Sequence, residues 1–192
     1  LKDMIAQEAA KIIAEKGIQQ FGQAKFKAAE NLNAMNYGCL PSNSDVEKKI
    51  VEYYQLFQAD IDFDHIQSLR KIAYDIMHMF DNYLIYLVGP VANGTASVSS
   101  AINFHIASED ESEIIQTLIE NDLTHKPYDR KIKFNEKMIR RVNGIKTIYK
   151  NIDVELTVFN YKEIRHAPLS KIDNKPIKRI KIKLLQEMIN SV

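Results

Sequence analysis

Residues 87–110, LVGPVANGTASVSSAINFHIASED, combine an apolar run, a glycine-punctuated stretch and a second, alternating run. This pattern predicts a buried strand, a tight turn and a second strand. Gly89 and Gly94 would let backbone amides approach a phosphate closely, and the hydroxyl of Thr95 could donate a hydrogen bond to it. The turn is therefore a candidate phosphate site. The alternative is a strand connection that binds nothing.

Two strands could bring polar side chains to this turn, because residues two apart in a strand point the same way. If the strands are neighbours, their polar faces meet beside the turn. Phosphoryl transfer needs magnesium held by carboxylates, so Asp153 and Glu155 are candidate catalytic residues and metal ligands. The alternative for Asp153 and Glu155 is a solvated strand face that binds nothing. The alternative for His105 is a solvent-facing or hydrogen-bonded side chain without a catalytic role. The two polar faces are formed by Ala101, Asn103 and His105, and by Asp153, Glu155 and Thr157.

Residues 165–183 form a basic segment that could attract a triphosphate or the backbone of RNA. Its two prolines stiffen a path that could present Arg165 to a phosphate. A solvated basic face on a terminal helix is an equally good interpretation. The segment holds seven basic residues against one acidic residue, a net +6: Arg165, Lys171, Lys175, Lys178, Arg179, Lys181 and Lys183 against Asp173.

The elements that must position these residues divide into two parts. Residues 1–82 read as a helical region, with a capping box of Ser44 and Glu47 before one helix and another helix after Asp62. Residues 83–192 read as an α+β core around a small mixed β-sheet, with a hairpin turn at Asn143–Gly144. Helices are predicted at 2–16 and 21–32, then after a loop at 36–44, after Asp62, at 111–123 and from about 181, and Gly17 is predicted to cap the first of them. Strands are predicted at 83–89, 101–107, 128–134 and 152–160.

Composition places the chain among ordinary globular proteins. The net charge of +1 gives no overall attraction to nucleic acid or membrane, and no apolar run approaches the roughly 18 residues that span a bilayer. The single cysteine rules out an internal disulfide framework and suits a reducing compartment. The amphipathic, acid-containing beginning predicts neither a secretory nor a transit segment. We expect a cytoplasmic protein without a membrane partner.

The stretch GPVANGTASVSSAIN, residues 89–103, resembles the signature of the DNA polymerase beta-like nucleotidyltransferase superfamily. That signature has Gly-Ser, a spacer, Gly-Thr or Gly-Ser, and then Ser-Asp-x-Asp on a strand, with a third carboxylate on a later strand. Nearly the whole chain is similar to a group of bacterial nucleotidyltransferase-like proteins. The similarity is carried by AAKIIAEKGIQQFGQAKFKAAENL, VGPVANGTA, VELTVF and RHAPLSKIDNKPIKR.

The resemblance implies a nucleotidyltransferase-like topology, a nucleoside triphosphate as ligand and Mg²⁺ as cofactor. Gly94, Thr95 and Ser100 match the signature, whereas Pro90 stands in place of its first serine. The two metal-binding aspartates are replaced by Ala101 and Asn103, and an amide is a weaker magnesium ligand than a carboxylate. Asp153 or Glu155 is left as the third acidic residue, and strand parity does not choose between them.

We therefore expect a degenerate site that binds a nucleotide or another phosphate-bearing ligand, with weak or no magnesium-dependent nucleotidyl transfer. Gly89, Gly94, Thr95, Ser100, Asn103 and Arg165 are the expected ligand-binding residues. The alternative is a non-catalytic RNA- or protein-binding module that uses the helical region and the basic segment.

Overall fold

A computed structural model describes residues 1–16, 20–34, 40–57, 59–135, 137–170 and 174–191. The predicted cap at Gly17 and residues 36–39 of the predicted loop at 36–44 lie outside these residues. The chain is an α+β protein and forms two compact units. Unit 1 consists of Leu1–His65 and Gly94–Ser99, and unit 2 of Ile66–Asn93 and Ser100–Val192.

Unit 1 is built from helices with apolar residues three and four positions apart. These helices are α1 (Lys2–Lys16), α2 (Phe21–Asn31) and α3 (Asn43–Phe57). Ile5, Ala9 and Ile12 of α1 are buried with Ala28 of α2 and Ile50 of α3. Alanines carry little side-chain bulk, so these helices can pack closely. The predicted helices at 2–16 and 21–32 are confirmed.

The N-terminus of α3 corrects the predicted capping box. The backbone amide of Asp45 donates to the Ser42 hydroxyl at 3.1 Å, and the amide of Ser42 donates to the Asp45 carboxylate at 3.0 Å. The reciprocal pair is therefore Ser42 with Asp45, and the predicted pair of Ser44 with Glu47 is wrong. Hydrogen bonds from Ser42 lower the pKa of Asp45. Because α3 begins at Asn43, Ser44 is already inside the helix and cannot cap it.

Unit 2 contains a five-stranded mixed sheet with the order β1-β2-β5-β4-β3. Only β2 and β5 are parallel, and the other neighbouring pairs are antiparallel. The strands are β1 (Ile85–Val88), β2 (Ile102–Ala107), β3 (Lys126–Asn135), β4 (Met138–Tyr149) and β5 (Ile152–Phe159). The predicted small mixed sheet is confirmed.

The helices flanking the sheet in sequence are α4 (Ala59–Met79), α5 (Gly89–Asn93), α6 (Glu111–Glu120) and α7 (Ile182–Asn190). Helix α4 begins at Ala59, before the predicted start after Asp62. Its apolar face is buried as the helical spacing predicts, since Leu69, Ala73 and Ile76 are almost inaccessible. Among the described residues, no helix is both long enough and apolar enough to cross a membrane.

One sheet face forms the main core, as strand parity predicts. Ile102, Phe104 and Ile106 of β2 are fully buried, and so are Val154 and Leu156 of β5. The residues between them point to the opposite face. That second face holds the polar residues of the candidate site.

The predicted hairpin turn at Asn143–Gly144 is wrong, because both residues lie inside the continuous strand β4. The turn between β4 and β5 is instead formed by Lys150 and Asn151, with φ angles of 50° and 64°. Two central residues with positive φ are typical of the type I′ turn that joins antiparallel strands. Lys150 also forms an ion pair of 2.7 Å with Asp75.

Candidate functional site

The bend after β1 places Gly89 against Asn103. Gly89 has a φ of +73° and turns the chain directly into the single helical turn α5, where an open turn was predicted. Val88 is the register partner of Asn103 on β2. A Cβ added to Gly89 would lie 3.2 Å from Asn103 Nδ2, so the conformation and the tight contact both favour glycine. Pro90 fits the first turn of α5, where an amide hydrogen has no helical partner.

Gly94, Thr95 and Ser100 follow this bend. Gly94 has a φ of +78° and belongs with Thr95 to the segment Gly94–Ser99 of unit 1. Ser100 belongs to unit 2 and is partly buried. The site described below lies entirely within unit 2.

Asn103 and Glu155 are register partners on the parallel strands β2 and β5. The Asn103 side-chain amide donates to the Ala101 carbonyl oxygen at 3.1 Å. The polar faces of the two strands therefore meet beside Gly89. Asp153, two residues before Glu155 on β5, is exposed.

Two cations hold the Glu155 carboxylate. Arg130 Nη2 lies 2.6 Å from Oε2, and Lys146 Nζ lies 2.7 Å from Oε1. Lys146 is directly opposite Glu155 on β4, whereas Arg130 reaches across β4 from β3. The Glu155 side chain is only 14% exposed, while those of Arg130 and Lys146 are 37% and 50% exposed. The cluster thus shields its one carboxylate and presents its cations to solvent.

Tyr128 completes this group, which we call the Glu155 cluster: Tyr128, Arg130, Lys146, Glu155 and Thr157. The Tyr128 hydroxyl lies 2.7 Å from Thr157 Oγ1. Lys146 Nζ and Arg130 Cζ lie 5.2 Å and 5.5 Å from the ring centre, within the range of cation–π attraction. Burial raises the pKa of Tyr128, so the phenol stays protonated at neutral pH.

The donor set at Glu155 is a poor fit for Mg²⁺. Both carboxylate oxygens already contact cations, so a magnesium ion would have to displace Lys146 or Arg130. Asn103 offers a neutral amide, and the side chain of Ala101 offers no ligand atom. Across the described parts of the chain, three or more His, Cys, Asp or Glu side chains nowhere converge as a metal site would require. The arrangement is better suited to an anion than to a cation.

His105 is buried and hydrogen-bonded to Arg179, which indicates a structural role. It is 2% exposed, and its Nδ1 lies 3.3 Å from Nε and Nη2 of Arg179. A guanidinium can only donate, so Nδ1 accepts and the ring proton is on Nε2. Burial, with the charges of Arg179 and Arg130, lowers the pKa of His105 to about 3. The hydrogen-bonded interpretation is confirmed, and the solvent-facing one is wrong.

Arg179 is turned inward, which reduces the charge that the basic segment offers. Its Nη1 donates to the Ile164 carbonyl at 2.5 Å, and its guanidinium lies over the rings of Tyr86 and Phe159. Arg165 is exposed in the 3-10 turn Glu163–Arg165. Lys171 and Asp173 lie outside the described residues, and the segment's exposed cations also include Lys178, Lys181 and Lys183.

Sequence reasoning missed Tyr128, Arg130 and Lys146. A signal was present, since Lys126, Tyr128 and Arg130 alternate along one strand face. The contacts of Tyr128, Arg130 and Lys146 with the Glu155 cluster could not be predicted from local patterns, because these three residues are 9 to 27 positions from Glu155 in the sequence.

Comparison of the sequence with protein-family models, and with curated proteins, gave no match.

Proposed function

We propose that this chain binds a nucleotide or a similar phosphate-bearing ligand at the Glu155 cluster, beside Asn103 and Gly89. We further propose that its sheet has a nucleotidyltransferase-like topology. We also propose that the protein has weak or no magnesium-dependent nucleotidyl transfer activity. The observation that carries the proposal is the pairing of two partly exposed cations with one largely buried carboxylate. This leaves a net positive charge facing solvent.

Lys126 extends this positive surface. It is exposed and lies directly opposite Lys146 on the neighbouring strand. Like charges at directly opposite positions destabilise a sheet. With Arg130, the two lysines make three cations against the carboxylates of Glu155 and Asp153 on the same face of β5, a net +1. A bound phosphate would relieve this repulsion, and it would accept charge-assisted hydrogen bonds from Arg130.

Weak catalysis follows from the residues that are present. Ala101 and Asn103 provide no carboxylate, and Glu155 is held by two cations. Arg130 and Lys146 can neutralise and orient phosphate oxygens, which is a binding role. His105 is neutral and buried, so it is unsuited to proton transfer at neutral pH. Phosphate contacts from Gly94, Thr95, Ser100 and Arg165 remain predictions.

Thermal unfolding in the presence of ATP or inorganic triphosphate tests the proposal, with either excess magnesium or a chelator. We expect both ligands to raise Tm in the chelator, because Arg130 and Lys146 act without a metal. The triple variant Arg130→Gln, Lys146→Gln, Glu155→Gln removes the charges without leaving a carboxylate unpaired, and should lose the shift. A double variant of the basic segment, Lys178→Gln with Lys183→Gln, is the matched control and should retain it.

The proposal would be contradicted by the absence of any shift, or by an equal shift in the triple variant. A shift that requires magnesium would instead indicate that a metal ion takes part in ligand binding. ATP with a larger shift than triphosphate would show that the base is also recognised.

The alternative function is RNA or protein binding through the helical region and the basic segment. It is favoured by the exposure of Arg165, Lys178, Lys181 and Lys183. RNA affinity that falls steeply with salt, without a triphosphate response, would support it. In that case the Lys178→Gln, Lys183→Gln variant should lose affinity.

A further inference from the structure

The β3–β4 hairpin is basic on both of its faces, and Lys126, Arg130 and Lys146 belong to the surface of the Glu155 cluster. Residues 126–149 hold eight basic residues against two acidic ones, a net +6 in a chain of net +1, so the rest of the chain carries −5. The basic residues are Lys126, Arg130, Lys131, Lys133, Lys137, Arg140, Arg141 and Lys146; the acidic ones are Asp129 and Glu136. Such a local concentration of charge attracts a polyanion.

The distal half of this hairpin is a ribbon of β3 and β4, and on the outer side of β3 Lys133 forms an isolated bridge with Leu169. Gly144–Tyr149 of β4 pair with β5, whereas residues 138–143 have β3 as their strand partner. Strand residues that lie directly opposite each other share a face. Lys131 is directly opposite Arg141, and Lys133 is directly opposite Ile139. We call this face, which is opposite to that of the Glu155 cluster, the ribbon face.

The ribbon face combines like charges with an exposed apolar side chain, an unfavourable combination on a solvent-exposed surface. Lys131 and Arg141 are like charges on neighbouring strands, and the Arg141 side chain is 68% exposed. Asp129 offsets part of this charge through an ion pair of 2.5 Å with Arg141. Ile139 is 60% exposed beside them. Charged residues on an unpaired strand edge can have the sole role of preventing aggregation, and Arg141 lies on the part of β4 that has β3 as its strand partner, but Lys137 lies in the turn. Edge protection therefore does not explain the whole cluster.

We propose that the ribbon face binds double-stranded DNA. Paired strands are about 4.8 Å apart, and the major groove of B-DNA, about 12 Å wide, admits a two-stranded β-ribbon. Lys131, Lys137 and Arg141 would contact phosphates on the groove walls. Ile139, between them, would make apolar contacts with base edges such as the thymine methyl group. The major groove of A-form RNA is too narrow for this entry, so the surface should prefer DNA duplexes. This inference does not depend on the Glu155 cluster.

Fluorescence anisotropy tests the proposal with labelled duplex DNA, duplex RNA and single-stranded RNA of about 20 nucleotides per strand and matched sequence. In about 0.1 M salt, the triple variant Lys131→Gln, Lys137→Gln, Arg141→Gln should bind duplex DNA of the order of 100-fold more weakly. Its affinity should also depend less on salt, with a slope reduced by about 2 to 3. The variant Lys178→Gln, Lys181→Gln, Lys183→Gln removes the same charge elsewhere and should bind as the unmodified chain does.

Three results would overturn the proposal: no binding of duplex DNA, equal or tighter binding of either RNA, or a loss of DNA affinity only in the Lys178, Lys181 and Lys183 variant. Unchanged Tm would show that the hairpin variant is folded, as expected for exposed positions. An unchanged ATP response in that variant would separate the two surfaces. If ATP binding fails but DNA binding follows these expectations, the ribbon face stands and the proposed nucleotide site does not.

Discussion

The ring of Tyr128 on β3 lies over the backbone of Gly144 on β4. A Cβ added to Gly144 would lie 2.6 Å from Tyr128 Cζ and 2.6 Å from the Leu156 carbonyl oxygen. The missing side chain lets the phenol lie across β4 and place its hydroxyl 2.7 Å from Thr157 on β5. Gly144 is thus required by a neighbouring ring rather than by a turn.

Gly144→Ala should destabilise the protein by about 1 to 3 kcal/mol, the usual cost of overpacking a close contact. The added methyl group would meet a ring and a backbone oxygen, and the backbone oxygen cannot rotate away. Urea unfolding measures the change. Gly22→Ala is the control, because a Cβ at that helical position meets nothing within 4 Å and should be neutral or stabilising by up to about 1 kcal/mol. Equal stability of both variants would contradict the close contact.

Glu155→Gln should strengthen ATP binding measured in a chelator. The change leaves Arg130 and Lys146 without a carboxylate partner, so their charge is available to phosphate. Stability should fall by about 1 to 3 kcal/mol, because charge-assisted hydrogen bonds are lost at a largely buried side chain. Calorimetry with ATP gives the affinity. Asp153→Asn removes an exposed carboxylate from the same strand face and serves as the matched control. Weaker ATP binding by Glu155→Gln in the chelator would contradict this expectation and would indicate that the carboxylate itself supports ligand binding.

His105 should make stability depend on pH. Its pKa is lowered from 6.5 to about 3 by burial first and then by the charges of Arg179 and Arg130. As pH falls below 6.5, the unfolded chain takes up the proton before the folded chain does, so stability is lost. The stability present above pH 6.5 should decline by at most about 1.4 kcal/mol per pH unit toward pH 3.

Urea unfolding from about pH 7.5 to pH 4 tests this dependence. His105→Asn keeps an acceptor for Arg179 without titrating, so its stability should vary less over this range, even if it is lower throughout. His166→Asn changes an exposed histidine and should retain the full dependence. Asp45 and Asp110 also have lowered pKa values, but their contribution is lost below about 3.8, largely outside the range measured. Equal pH dependence of His105→Asn and the unmodified chain would contradict the assignment.

Ser42→Ala should destabilise α3 by about 1 kcal/mol, because it removes the acceptor for the Asp45 amide. Ser44→Ala should change stability by less than about 0.5 kcal/mol, since Ser44 lies inside the helix. Thermal unfolding of the two variants compares them directly. A larger loss in Ser44→Ala would restore the capping box that the sequence predicted.

Much of the fold could be predicted from local patterns. The stripe of Ile5, Ala9 and Ile12 indicated a helix, and the alternation around Phe104 and Leu156 assigned one strand face to the core. The Asn143–Gly144 pair led to a wrong prediction, because Asn-Gly is typical of a hairpin turn, whereas here Gly144 lies within a strand and makes room for a neighbouring ring. Only the position of the Tyr128 ring distinguishes the two cases.

The sequence by itself determined the helix and strand periods, the inward and outward parity of β2 and β5, and the replacement of two expected aspartates by Ala101 and Asn103. These properties depend on neighbours along the chain. Only the tertiary structure decided that Asn103 pairs with Glu155, that Arg130 and Lys146 hold that carboxylate, and that Arg179 turns inward to His105. The physical reason is that strand order and register bring together side chains distant in sequence, and those neighbours decide whether a charge is available or already paired.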